Sequence, residues 1–211
     1  MEQHAPRTHG ALIRWAAPYD LLAWLLTRGR EDELRARIIS LAGLRDGDAV
    51  LDVGCGTGTL AIAASRHVGA AGSVQGIDPS PPMIARARRK AAKAAVDTRF
   101  QVAVAESLPF PDATFDVVFS TLMLHHLPRT TRQQCAAEIK RVLKSDGRVL
   151  AVDFGRPNRR GFLARFHRHG YVDVEDIVRL LEEAGLRPIR QGAVGMNNLN
   201  FVLAKASKDA P

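Results

Sequence analysis

Short apolar runs alternate with longer amphipathic stretches along most of this 211-residue chain, beginning near Asp48. Residues 49–53 form a short apolar run that ends at glycines, a pattern typical of a buried parallel strand. The same criteria predict further strands at residues 73–78, 99–104, 115–119, 148–153, 187–191 and 199–204, and helices at residues 59–68, 81–95, 131–143 and 174–184. Strands that alternate with helices imply right-handed crossovers. The pattern therefore predicts an α/β fold with a seven-stranded, mostly parallel sheet and helices on both faces.

The same pattern divides the chain into two regions. Residues 45–211 form the predicted α/β domain, and residues 1–44 form a helical cap that precedes it. Apolar side chains concentrate in the cap, among them Trp15 and Trp24, and arginines lie nearby. These residues favour either a lid helix that packs on the sheet or an interfacial helix whose apolar side chains reach lipid while its arginines meet phosphates.

Composition narrows the class of protein. A chain of this length, with 46% hydrophobic and 25% charged residues, suits one globular domain. The two cysteines, Cys55 and Cys135, are too few for a disulfide framework, and no Cys/His cluster predicts a metal site. Since no stretch is apolar for long enough to span a bilayer, we expect a cytoplasmic protein. The net charge of +8 reflects either a compositional bias or an anionic partner.

The residues suited to chemistry follow the first two predicted strands, at the carboxyl ends where a parallel sheet binds ligands. Asp52 lies at the end of the first strand, and Gly54, Gly56 and Gly58 follow it, which lets the backbone turn tightly and approach a ligand. Asp78 closes the second strand, twenty residues past Gly58. A carboxylate at that spacing accepts hydrogen bonds from ribose hydroxyls.

Two cofactor classes fit a glycine loop followed by such an acid. A dinucleotide-binding loop carries a third glycine where this chain has Thr59. Asp52 would repel a pyrophosphate, whereas it suits a ligand that carries an amino group and a sulfonium. S-adenosylmethionine has both groups, so we predict it as the cofactor and place a nucleotide-dependent oxidoreductase last among the alternatives.

Leu-Asp-Val-Gly-Cys-Gly-Thr-Gly at residues 51–58, Gly-Ile-Asp-Pro-Ser at 76–80 and Arg-Val-Leu-Lys-Ser-Asp-Gly at 141–147 resemble motifs of class I S-adenosylmethionine-dependent methyltransferases, which have a Rossmann-like fold. The resemblance extends through residues 105–118 and covers about half of the chain. The branch that it resembles is the ubiquinone/menaquinone C-methyltransferase-like group, which also contains small bacterial phosphatidylethanolamine N-methyltransferases.

This resemblance implies a role for each matching residue. Asp52 and the backbone at Gly54, Gly56 and Gly58 would hold the methionine part of the cofactor, and Asp78 would bind the ribose. The other implied cofactor-binding residues are Pro79, Met83, Ala105, Glu106 and Ser107 on the adenine side, Thr121 at the end of the fourth strand, and Tyr19, which would close over the cofactor or pack within a helix. Glu106 would accept a hydrogen bond from the adenine amino group.

Motifs that are absent narrow the methyl acceptor. The chain lacks the Asn/Asp-Pro-Pro-Tyr/Phe motif of methyltransferases that act on base amines, and neither cysteine stands where RNA carbon-5 methyltransferases place their nucleophile. Nucleic acid is therefore not an expected partner. Two histidines follow the fourth strand, and we predict His126, ahead of His125, as the catalytic residue that takes a proton from an amine, phenol or quinol. Alignment alone also accelerates methyl transfer, so a base is not required.

The distribution of positive charge indicates how an acceptor arrives. Five arginines and no acidic residue fall within residues 156–170, a connection that lies over the acceptor side in this fold. We expect methyl transfer to a small or lipophilic acceptor, either a quinol precursor or a phospholipid amine, with peripheral contact to an anionic membrane. The alternatives are a methyltransferase of a soluble anionic metabolite and a cofactor-binding regulatory protein without turnover.

Overall fold

The computed structural model describes residues 29–155, 171–196 and 198–206. Tyr19, the two tryptophans of the N-terminal segment and the arginines of residues 156–168 lie outside these described residues. The predictions that rest on them, and the division of the chain at residue 44, therefore stay predictions.

The described residues form five helices, a 3₁₀ turn and seven strands. In chain order they are α1 (Glu31–Ala42), β1 (Ala49–Val53), α2 (Thr59–Val68), β2 (Ser73–Asp78), α3 (Pro81–Ala94), β3 (Thr98–Val102), β4 (Phe115–Thr121), the 3₁₀ turn (Leu124–His126), α4 (Arg129–Val142), β5 (Leu143–Phe154), α5 (Val174–Glu183), β6 (Leu186–Ala193) and β7 (Leu199–Ala206).

The strands form one sheet in the order β3-β2-β1-β4-β5-β7-β6. Neighbouring strands from β3 to β5 pair in parallel, whereas β7 pairs antiparallel with both β5 and β6. The strand order reverses between β1 and β4, and such a switch point opens a crevice at the carboxyl ends of the strands. The predicted α/β fold with a mostly parallel sheet is confirmed.

Helices cover both faces of the sheet, as predicted. One apolar layer contains Ile38 of α1, Leu60 of α2 and Ile84 of α3. The layer on the opposite face contains Ile139 of α4 and Ile177 of α5. The central strands β1 and β4 are buried on both sides and are mostly apolar, whereas the edge strand β3 is only partly buried.

The predicted bounds of β5 were wrong at its start. Leu143 already pairs with Phe115 of β4, and the ladder resumes at the pair Val117 and Arg148 after a shift of register. The segment Ser145-Asp-Gly147, which precedes the strand predicted at residues 148–153, thus lies inside the observed strand as an irregularity. Gly147 suits this position, because a Cβ there would lie 3.0 Å from the carbonyl oxygen of Phe115.

Among the described residues, no helix is long and apolar enough to cross a membrane.

Candidate functional site

The glycine loop connects β1 to α2 and lies against the end of β2. Gly54, Gly56 and Gly58 all have positive φ angles, of 73°, 53° and 77°. The amides of Gly54 and Cys55 both donate to the carbonyl oxygen of Ile77, at 2.9 and 2.8 Å. A Cβ at Gly54 would lie 2.4 Å from Cγ of Met123, so the segment after β4 also touches this loop. The loop is therefore held between β2 and the segment that carries the two histidines.

Asp78 links the glycine loop to the start of α3. Its Oδ2 accepts the amide of Gly56 at 3.0 Å, and its Oδ1 accepts the amide of Ser80 at 2.9 Å. Burial raises the pKa of Asp78, and these two amides oppose the increase. Each carboxylate oxygen can accept a further hydrogen bond, which is what binding a pair of ribose hydroxyls requires.

Asp52 lies beneath the loop, on the neighbouring strand. It is 2% exposed, and burial together with the negative charge of Asp78 raises its pKa to about 7, against the opposing hydrogen bond from the amide of Ala61. Two acidic side chains with raised pKa values at the carboxyl ends of adjacent strands favour a cationic ligand. The ammonium and sulfonium of S-adenosylmethionine fit this requirement.

The surroundings of Glu106 also fit the predicted cofactor. Both of its carboxylate oxygens are buried, and neither has a hydrogen-bond partner among the described residues. A buried carboxylate without a donor is costly, so a ligand that offers an amino group would be stabilised here. The hydroxyls of Ser120 and Thr121, at the end of β4, are also buried without a partner in the described part of the chain. These residues fit a polar ligand at the carboxyl ends of β1, β2 and β4.

The other predicted cofactor residues surround these acids. Ala105 lies beside Glu106 and is buried, and Ser107 is exposed. Pro79 is half-buried, and Met83 lies buried in the first turns of α3. Their roles in binding the cofactor stay predictions.

The two histidines lie in the 3₁₀ turn that follows β4, and His125 is bound to a carboxylate. Nδ1 of His125 lies 2.6 Å from Oδ1 of Asp153, and the amide of His125 donates to Oδ2 at 3.1 Å. The side chains of His125 and Asp153 are 7% and 0% exposed. The ring of His126 packs on that of His125, with centroids 3.9 Å apart.

Sequence reasoning did not single out Asp153. Asp153 lies next to the last residue of β5, which pairs in parallel with β4. Because the carboxyl ends of two paired parallel strands lie side by side, an acid at the end of β5 could have been predicted to approach a histidine that follows β4. Within the described residues, no group of three or more histidine, cysteine or acidic side chains lies close enough together to hold a metal ion.

Comparison with known proteins identifies the family. The family model described as "Methyltransferase domain" matches residues 50–147. The ubiquinone/menaquinone biosynthesis C-methyltransferase of Marinomonas sp. is 37% identical over 144 residues, which cover 67% of this chain and 57% of that protein. The demethylmenaquinone methyltransferase of Thermus thermophilus is 37% identical over 147 residues, covering 70% and 66% of the two chains.

A solved structure agrees with these relatives. An S-adenosylmethionine-dependent methyltransferase from Aquifex aeolicus superimposes with a TM-score of 0.75 at 26% identity, covering 90% of this chain and 98% of that one. The chain belongs to the class I S-adenosylmethionine-dependent methyltransferases. Within this methyltransferase family it falls in the ubiquinone/menaquinone C-methyltransferase-like group.

Two of the sequence-based predictions are thereby confirmed for this methyltransferase domain, namely the family and S-adenosylmethionine as its cofactor. The chain spans less than two thirds of the length of the two curated relatives, 57% and 66%. What those longer proteins act on is therefore a matter of proposal for this one.

Proposed function

We propose that this chain transfers the methyl group of S-adenosylmethionine to a ring carbon of a reduced, quinol-type acceptor. Family membership and the names of the two curated relatives, one of which acts on demethylmenaquinone, support this acceptor class. The observation that carries the proposal is the hydrogen bond between His125 and Asp153 at the carboxyl ends of β4 and β5.

This histidine suits proton removal from an acceptor hydroxyl. Because Asp153 accepts the hydrogen on Nδ1, the tautomer of His125 is fixed and the lone pair of Nε2 is available. The carboxylate also stabilises the imidazolium that forms when the proton is taken. We therefore assign the base to His125, whereas the sequence alone favours His126.

The proposed reaction balances without another reagent. The bound cofactor supplies an electrophilic methyl group on a sulfonium. His125 takes the hydroxyl proton of the quinol, and the resulting oxyanion raises the electron density of the neighbouring ring carbon. That carbon forms a bond to the methyl group as the bond between sulfur and methyl breaks. It then loses its own proton to water, which restores the aromatic ring as an oxyanion, and the oxyanion takes its proton back from His125. The net products are the methylated quinol, S-adenosylhomocysteine and one proton. Alignment of the two reactants contributes further acceleration.

In this proposal, each of three acidic side chains binds a different group of the cofactor. Asp52 faces the ammonium of the methionine part, Asp78 binds the ribose hydroxyls, and Glu106 accepts the adenine amino group. Their positions around the glycine loop and their burial support this assignment.

A lipophilic acceptor must also reach the site, and we include access from an anionic bilayer in the proposal. The residues proposed to contact the bilayer are Trp15, Trp24 and the arginines of residues 156–168, which lie outside the described residues. Vesicle co-sedimentation of the wild type beside Arg159→Glu/Arg160→Glu tests this part. Binding to anionic but not neutral vesicles, lost at high salt and in the variant, supports it. Wild-type protein that ignores anionic vesicles at low salt rejects the membrane and leaves methyl transfer standing.

The acceptor is tested with methyl-labelled S-adenosylmethionine. Demethylmenaquinol in detergent micelles, phosphatidylethanolamine vesicles and an extract of acidic metabolites are offered separately. We expect label on the ring carbon of the quinol, and none on oxidised demethylmenaquinone, which has no hydroxyl to deprotonate. Label on the phospholipid amine or on an acidic metabolite instead would show that this compound, and not a quinol, is the methyl acceptor. Tight cofactor binding with no transfer in any arm would indicate a regulatory protein.

A further inference from the structure

Arg132 ties together the two ends of the turn that carries the histidines. It lies in the second turn of α4, and its Nε donates to the carbonyl oxygens of Leu124 and Leu127, both at 2.8 Å. Within the turn, the amides of His126 and Leu127 donate to the carbonyl oxygens of Met123 and Leu124, each at 3.0 Å, and the amide of His125 donates to Asp153 of β5. The side chain of Arg132 joins the same turn to a long helix.

The charge of Arg132 acts on the same region. Its pKa is lowered by burial, while the negative charges of Asp153 on β5 and Asp176 on α5 raise it. An arginine stays protonated in either case.

We propose that Arg132 is a positioning residue for His125. Its guanidinium fixes the turn so that the imidazole stays on Asp153. The inference rests on the proposed function in so far as His125 is the base. Its physical content, the geometry of His125, is independent of which acceptor is methylated.

The variant Arg132→Gln removes the charge and the guanidinium hydrogen bonds. Without these bonds the turn opens more often, so we expect the amide proton of His125, which is bonded to Asp153, to exchange with solvent about 10-fold faster. We expect kcat at neutral pH to decrease about 10-fold, and the dissociation constant of S-adenosylhomocysteine to change less than twofold. The variant Arg132→Lys keeps the charge without the planar guanidinium, so it should restore only part of the amide protection and of kcat.

Arg129→Gln is the matched control. Arg129 begins the same helix and is exposed, so this substitution removes one positive charge from α4 without touching the turn. We expect wild-type exchange of the His125 amide and wild-type kcat.

The exchange of the His125 amide proton is followed by nuclear magnetic resonance in the full chain, with His125→Asn used to assign the signal. This readout needs no turnover, so it tests Arg132 even if the acceptor of the proposed function is wrong. An exchange rate of the His125 amide in Arg132→Gln that equals those of wild type and Arg129→Gln would overturn the proposal. If Arg132→Gln fails to fold, Arg132→Lys decides, because wild-type kcat in that variant would show that the fork positions nothing.

Discussion

Oδ2 of Asp78 accepts the amide of Gly56 at 3.0 Å, across 22 residues of chain. The carboxylate is thereby fixed at the mouth of the glycine loop before any ligand arrives, with one oxygen toward Gly56 and the other toward Ser80. Asp78 thus holds the loop in shape, and the ribose of the cofactor is the proposed partner of its remaining lone pairs.

Asp78→Ala should weaken the binding of S-adenosylhomocysteine by about 1.5–3 kcal/mol, the range for losing hydrogen bonds to a charged group. Calorimetry measures the change, with Asp97→Ala as a control, since Asp97 is exposed and follows α3 far from the loop. Unchanged affinity in Asp78→Ala would remove ribose binding from the account.

Asp52 should make the stability of the cofactor-free protein decrease as pH rises. Its pKa is about 7 in the folded protein and about 3.9 in an unfolded chain, so the folded state binds this proton more tightly. The associated stabilisation is complete below about pH 4 and is lost as pH rises to about 7, with a slope of up to about 1.4 kcal/mol per pH unit. Urea denaturation from pH 5 to 8 measures the slope. Asp52→Asn should be flatter over this range, and an identical slope would contradict the assignment.

The same group should release a proton when the cofactor binds. An ammonium favours the ionised form of Asp52, so its pKa should decrease in the complex. Calorimetric titrations at pH 6.5, in buffers of different ionisation enthalpy, measure the number of protons released. We expect release of a substantial fraction of one proton by the wild type, and much less by Asp52→Asn. Proton uptake by the wild type would place a different group at the ammonium.

Gly58 should tolerate a side chain less well than Gly43, although both have left-handed backbones. A Cβ at Gly58 would lie 2.6 Å from Cζ of Phe100 and 2.9 Å from Cβ of Ala87, whereas nothing lies within 4 Å at Gly43. Gly43→Ala should therefore lose only the cost of a positive φ, about 1–2 kcal/mol, and Gly58→Ala about 1–3 kcal/mol more. Equal losses in urea denaturation would show that the packing of α2 against α3 and β3 is not tight at Gly58.

Glu106 should set the preference for adenine. Its buried oxygens need a donor, which the adenine amino group supplies and the oxygen of hypoxanthine does not. The wild type should therefore bind S-adenosylhomocysteine at least 10-fold more tightly than S-inosylhomocysteine, and Glu106→Gln should narrow that ratio. If the ratio is the same in both proteins, Glu106 faces something other than the adenine edge.

Much of this architecture follows from the sequence. The bounds of β1 and β2 were predicted to the residue, because β1 is a mostly apolar run that stops at a glycine and β2 ends at the acid Asp78. The predicted cofactor site follows those two ends. The start of β5 could not be predicted, since Ser145-Asp-Gly147 has the composition of a turn and becomes extended only through pairing with β4.

The sequence also could not show which of the two histidines contacts Asp153. Which of two consecutive residues in a 3₁₀ turn faces Asp153 depends on the approach of the backbone. Leu122 takes a left-handed conformation, with φ of 56°, and its amide donates to Val152 of β5. Periodicity predicts neither feature, and together they bring the amide and ring of His125 to Asp153.

The most direct test of the account is the rate of methyl transfer from labelled S-adenosylmethionine to demethylmenaquinol by wild type, His125→Ala and His126→Ala at saturating substrates. The account predicts label on the ring carbon with the wild type, a rate about 10²–10⁴-fold lower with His125→Ala, and a smaller decrease with His126→Ala, all three binding S-adenosylhomocysteine with equal affinity. A wild-type rate in His125→Ala, or no transfer by a wild type that binds the cofactor, would contradict it.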